Sequence, residues 1–347
     1  MTQEESLAGG LFPSRGVIFV KGHERPPVFE HVVVFVGELI PKQKRDARRR
    51  RVTRTFLISR HLTSMMFVDV LKISSLFSGY AYLGSVCVAY VYQRKLQYFP
   101  DRSEYGIADD SCRFTHFVTE TEDGVELKGI YVAPNPGKQF SSLTLLHLHG
   151  NAGNIYHRLH WANSVHKRFG CGIVLLDYRG FGGSSGQISE SGLILDANAG
   201  VDWIVKISKS SCIIALHLES IGSAVALNVS ANVCKRSEVK GSVVEGGLCS
   251  CLELAQELIP FFPVRYILKD KWTGVREAAS QLSHSSYFMS LHGALDDIVP
   301  LRHGRGLFGS VASGYKIFRC FPRGGHNDLI SHPGYFGCLH SFYSKLL

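Results

Sequence analysis

The chain has 347 residues, 45% of them apolar, with 35 glycines and a net charge of +9. That is enough to bury the core of one large domain or two small ones. Residues 1–65 hold twelve Lys/Arg and six Asp/Glu, a net of +6, which leaves +3 for the rest. The excess is mostly one run, PKQKRDARRRRVTR, with no interleaved aromatics, and this argues against a nucleic-acid partner. Nine cysteines without a C-x-x-C pair indicate neither a zinc site nor a disulfide framework.

Residues 1–65 read as an irregular basic N-terminal extension. Their one apolar run, HVVVFVGELI, is too short to span a bilayer, and no signal-peptide pattern opens the chain. Residues 66–95 read as a membrane anchor helix. Within them ISSLFSGYAYLGSVCVAYVY, residues 73–92, carries no charge over 20 positions. At 1.5 Å per residue this just crosses a hydrocarbon core of about 30 Å. Tyrosines near its end, with Lys72 and Arg94-Lys95 bracketing it, suit interface anchors; the preceding basic run, if translated, keeps the N-terminus on the cytoplasmic side, whereas a start at Met66 removes that asymmetry and leaves the orientation open.

Residues 96–347 alternate apolar runs of strand length with helical stretches. RFTHFVTE and VELKGIYVA predict a hairpin around EDG. LTLLHLH, CGIVLLDY, CIIALHL, KGSVVEG, YFMSLHG and YKIFRCF follow, separated mostly by helical segments such as GLILDANAGVDWIVKI and IGSAVALNVSANV. Near-continuous apolar strands alternating with helices predict an α/β fold with a mostly parallel sheet, helices on both faces and the site at the strand carboxyl ends.

Three strand ends carry chemistry. CIIALHL runs into Glu219-Ser220-Ile221-Gly222 and then a helix, the strand–turn–helix setting of a nucleophile elbow, although Leu218 stands where the usual G-x-S-x-G has glycine. Such a serine is equally a common helix N-cap. Asp296 follows YFMSLHG, with Asp297 beside it as the fallback, and His326 follows the last strand behind two glycines. The order Ser, Asp, His gives each residue a role: Ser220 attacks, His326 takes and returns the proton, and Asp296 fixes the imidazole. The backbone N–H groups of Ile221 and, after LTLLHLHGNAGN, of Asn151 are the expected oxyanion donors.

LQYFPDR, HLHGNAGN, DYRGFGGSSGQISESGLILDA, ESIGSAVAL, HGALDDIVP and GGHND together resemble the Bem-like, single-pass membrane alpha/beta-hydrolases, over roughly residues 70–347. The resemblance implies an alpha/beta-hydrolase fold with a small cap, preceded by one transmembrane helix. It places the family's catalytic serine, aspartate and histidine on Ser220, Asp296 and His326. It also implies a serine hydrolase that needs no cofactor or metal, in the endoplasmic reticulum or another endomembrane. The expected substrate is a carboxylic ester or thioester, including a palmitoyl thioester on a membrane protein, and the lipid bilayer is the expected partner. Leu218 departs from the pattern and predicts a slightly displaced strand at the elbow.

Other features carry less. His147, His149, His157 and His160 lack an accompanying carboxylate at metal-ligand spacing. DYRGFGGSSG lacks G-x-G-x-x-G and a phosphate-binding lysine, so it reads as a loop bordering the site. The Asn228-Val229-Ser230 sequon falls in the helix after the elbow. QELIPFFPVRYIL reads either as a cap over the pocket mouth or as core filler. Two alternatives stand beside the esterase reading: a serine peptidase of the prolyl-oligopeptidase type, and a catalytically impaired binding protein that keeps the fold.

Overall fold

The computed structural model describes residues 42–104, 114–208, 212–228, 233–283 and 285–347. The chain divides into two units, Met1–Ser74 and Ser75–Leu347. Helix α1, Lys42–Gln97, begins in the first and ends in the second. The irregular extension expected over 1–65 is therefore corrected from residue 42 onward, while 1–41, with HVVVFVGELI, lie outside the described residues. The physical reason is plain: Lys, Arg, Leu and Met are good helix formers, and no proline interrupts positions 42–97. Over Arg50–Gln97 this helix is long and apolar enough to cross a membrane. Val52, Phe56, Leu62, Phe67, Phe77 and Leu83 are all exposed along it, so its apolar surface is not confined to one stripe against a core.

The second unit is built on an eight-stranded sheet. In chain order the strands are β1 Phe114–Glu120, β2 Glu126–Val132, β3 Leu143–Leu148, β4 Gly172–Leu176, β5 Ile213–Glu219, β6 Val239–Glu245, β7 Tyr287–Gly293 and β8 Tyr315–Phe321. Their spatial order is β8-β7-β6-β5-β3-β4-β2-β1. β1 and β2 form the expected antiparallel hairpin, β2 also pairs antiparallel with β4, and every other pairing is parallel. Each predicted strand is present; the central ones are buried on both faces and leave an unbroken apolar signature, while the edge strands β1 and β8 are only half covered.

Side-chain alternation divides the core in two. Leu146, Leu148, Val174, Leu176, Leu216, Leu218 and Phe288 pack toward α3 (Glu190–Ser208), α4 (Ile221–Ala226) and α7 (Val275–Ser280). Leu145, Ile173, Leu175, Ala215, Val243 and Met289 pack toward α2 (Leu159–Phe169) and α9 (Tyr335–Tyr343). The sheet is thereby covered on both faces. α4 stops at Ala226, so Asn228 lies past the helix, and it is buried. Between β6 and β7, α5 (Cys251–Leu258) and α6 (Val264–Ile267) form the small cap.

Candidate active site

β5 delivers Ser220 to the carboxyl edge of the sheet. The serine sits at φ 53, ψ −115, and α4 begins at the next residue. Among the described residues, only Ser220 and Trp272 hold positive φ without being glycine. Such a conformation costs about 1–3 kcal/mol and persists only where the surroundings enforce it. Here they do: the Ser220 N–H donates to the Glu245 carbonyl at 2.8 Å, and Ser223 Oγ donates to the Ser220 carbonyl at 2.6 Å. A Cβ on Gly222 would lie 2.2 Å from the Leu148 carbonyl oxygen, so glycine is required where the helix start meets the end of β3. Leu218 is accommodated in the core, paired in register with Leu148 and Val244 and fully buried.

The loops after β7 and β8 bring the acid and the imidazole together. His326 Nδ1 lies 2.7 Å from Asp296 Oδ2, and Asp296 Oδ1 accepts the N–H groups of Ile298 and Val299 at 3.1 and 2.8 Å. Asp296 is buried and Asp297 exposed, so the fallback has no place in the pair. Burial pushes the Asp296 carboxyl up, but the hydrogen bond and charge of His326, with help from the Val299 N–H, hold it below the usual range. An ionised Asp296 fixes the proton of His326 on Nδ1 and leaves Nε2 as the basic nitrogen. The imidazole packs over Gly246 (φ 57), which follows the Glu245 that holds the Ser220 N–H. A Cβ there would lie 2.8 Å from Cε1 and 2.9 Å from Nδ1 of His326.

Asn151, Ser220 and Ile221 line one cavity of ≈ 390 Å³. Asn151 is fixed by its side chain, which donates to the Gln97 carbonyl at 2.7 Å, and by its own carbonyl, which accepts from Phe99 N–H at 2.8 Å. The other walls are almost wholly apolar: Leu248, Leu254, Leu258 and Phe262 from the cap side, and Ala89 and Leu96 from the end of α1. The cap reading of QELIPFFPVRYIL is the one realised, since Ile259, Val264 and Ile267 also face this cavity.

Sequence reasoning missed a half-buried ion pair. Arg158 Nε and Nη2 donate to Glu219 Oε2 and Oε1 at 3.0 and 2.6 Å, and Arg158 Nη1 donates to the Ala152 carbonyl at 3.0 Å. Arg158 therefore ties the residue before Ser220 to the residue after Asn151. Burial pushes the Glu219 carboxyl up, but Arg158 and His147 outweigh it and hold it at about 2. The only available signal was the glutamate inside the elbow, and nothing local pointed to its partner. His149 and His147 are buried, His149 beside the Gly150-Asn151 turn with Nδ1 2.7 Å from the Gly150 carbonyl. Among the described residues, Cys249, Glu253 and His303 could approach a metal ion. Arg276 already pairs with Glu253, and Glu257 with His303 Nε2, so ordinary ion pairs account for the cluster.

A mostly parallel sheet with these strand ends defines an alpha/beta-hydrolase. No family model matches the chain. It is 28% identical to protein bem46 of Schizosaccharomyces pombe over 295 residues, 82% of this chain and 96% of that protein. An uncharacterized protein of Mycobacterium tuberculosis is 31% identical over 247 residues, 71% of this chain and 84% of that one. The uncharacterized membrane protein YNL320W of Saccharomyces cerevisiae is 28% identical over 281 residues, 78% of this chain and 96% of that one. The Pyrococcus furiosus esterase Pf2001 shares the fold at a TM-score of 0.56 and 18% identity, over 72% of this chain and 97% of that one. The chain belongs to the Bem46-like alpha/beta-hydrolases.

Proposed function

We propose that the chain is a membrane-anchored serine hydrolase that cleaves carboxylic ester or thioester bonds of long-chain acyl groups. The single observation that carries this is the apolar cavity running from Ser220 between the cap and the end of α1. An acyl chain fits such a lining, whereas a peptide would leave its amides unpaired there.

In this reading His326 takes the Ser220 proton as Oγ attacks the acyl carbon. The N–H groups of Asn151 and Ile221 hold the developing oxyanion, each worth roughly a hundred- to a thousandfold in rate. Protonated His326 gives its proton to the departing alcohol or thiol. Water, activated by the same imidazole, then releases the acid from Ser220. The apolar helix and the resemblance to the yeast membrane protein support an anchor. A palmitoyl thioester on a membrane protein in the endoplasmic reticulum or another endomembrane is the substrate and setting that suit it.

The test pairs fluorophosphonate labelling with a substrate panel. Labelling is expected for the unaltered chain and lost in Ser220→Ala. Hydrolysis of p-nitrophenyl esters and acyl thioesters is expected to improve with chain length. Faster cleavage of dipeptides, or labelling that survives Ser220→Ala, would sink the reading.

A further inference from the structure

The cap tip has a property the acyl cavity does not require. Residues 258–264, LIPFFPV, carry no charge. Phe261 is 89% exposed and Tyr266 is 84% exposed, and neither lines the cavity. Part of the tip's backbone is paired. The Phe261 carbonyl accepts from Tyr82 OH at 2.7 Å, Phe262 N–H donates to the Ile259 carbonyl at 3.0 Å, and the Pro263 carbonyl accepts from Tyr266 N–H at 2.9 Å. Pro260 and Pro263 bring no N–H at all. The Tyr82 bond is the one that counts, because it gives a tip carbonyl a partner on the apolar helix, where hydrocarbon would supply none.

Its partner fixes the depth. Tyr82 lies in the middle of the uncharged run 73–92. Eight residues further on, Lys269 sits over the Tyr90 ring at 4.5 Å, and Lys95 sits over Tyr92 at 5.6 Å. Lysines over tyrosines at the end of an apolar helix are suited to the headgroup level. At 1.5 Å per residue, Tyr82 is about 12 Å along the helix on the apolar side of that belt. The hydrogen bond and the ring contact of Tyr82 with Phe262, at 5.9 Å, hold the tip at the same depth.

We propose that the cap tip is immersed in the acyl-chain region of a phospholipid leaflet, and that acyl groups enter the Ser220 cavity laterally from that leaflet. This rests on reading 73–92 as membrane-spanning and Ser220 as the nucleophile. The cavity suits the entry route, since its walls are the cap and Ala89, Gln93 and Leu96 of the same helix. An acyl chain passing between them would not have to cross water.

The test uses the full chain in phosphatidylcholine vesicles. In Phe261→Trp, the added tryptophan emission should be quenched at least twofold by lipids brominated on their acyl chains, and should be untouched by aqueous iodide. Quenching by iodide alone would overturn the proposal. So would resistance to both quenchers, which would mean the tip is covered by protein, such as a second copy. Fluorophosphonate labelling of Ser220 serves as the fold control. In Phe261→Asp with Tyr266→Asp, hydrolysis of a long-chain thioester dissolved in the bilayer should fall at least tenfold, while a water-soluble acetate ester should be cleaved within twofold of the unaltered rate. Equal effects on both substrates would overturn lateral entry. An unaltered chain that fails to label would defeat the hydrolase reading, and the quenching result would still decide the immersion.

Discussion

Gly246→Ala should impair the chemistry while sparing the fold. The new methyl would stand 2.8 Å from His326 Cε1 and 2.9 Å from Nδ1, the nitrogen bonded to Asp296 at 2.7 Å. Ordinary carbon contacts begin near 3.5 Å, so the imidazole must retreat by roughly 0.6 Å. It cannot do so and keep its bond to a carboxylate fixed by the Ile298 and Val299 N–H groups. The φ of 57 also costs alanine about 1–2 kcal/mol. A displacement of about 1 Å at a reacting group can cost around a hundredfold, or about 2.7 kcal/mol of barrier. The expected outcome is a thirty- to hundredfold lower kcat on a short p-nitrophenyl ester, about 2–3 kcal/mol, with KM little changed and fluorophosphonate labelling slowed to match. Gly309→Ala is the control, because a Cβ there meets nothing within 4 Å and the position is helical and exposed. A Gly246→Ala enzyme with the unaltered rate would refute the placement of His326 over β6.

Other contacts in the molecule give further expected outcomes. Arg158→Ala removes the main partner of the half-buried Glu219 carboxylate and should destabilise the protein by about 2–3 kcal/mol, read by thermal unfolding in detergent, whereas Arg158→Lys should recover part of it. The Glu219 carboxyl is held at about 2, below the ordinary value of 4.5, so its contribution is fully present above pH 4.5 and lost as pH falls toward 2. Glu219→Gln should flatten the stability profile in that window by on the order of 2 kcal/mol, less than the full shift because solvent reaches part of the side chain. Leu218→Gly should lower stability by about 3–5 kcal/mol, since it empties a fully buried position rather than restoring a consensus turn. The full chain should resist alkaline carbonate extraction, and easy extraction would remove the anchor.

The central strands were legible in the amino-acid order, and so was the order of the candidate site residues, because both are written locally. Strands buried on two faces are continuous apolar runs, and Ser220, Asp296 and His326, after β5, β7 and β8, keep their order whatever the packing does. The start of α1 was not legible, because Arg-rich residues propagate a helix without an apolar period to betray it. Position favoured Asp296 over its neighbour as the nearer to the strand end, and tertiary structure decided between them, because the loop turns Asp296 inward and leaves Asp297 exposed. It also decided what makes Leu218 tolerable: the close approach falls on Gly222 against β3, so the strand side can carry a leucine. Arg158 against Glu219, Gly246 against His326 and Tyr82 against Phe261 join residues 61, 80 and 179 positions apart. Such contacts come from chain crossings that no local pattern encodes, and they fix the geometry that the local motifs can only make available.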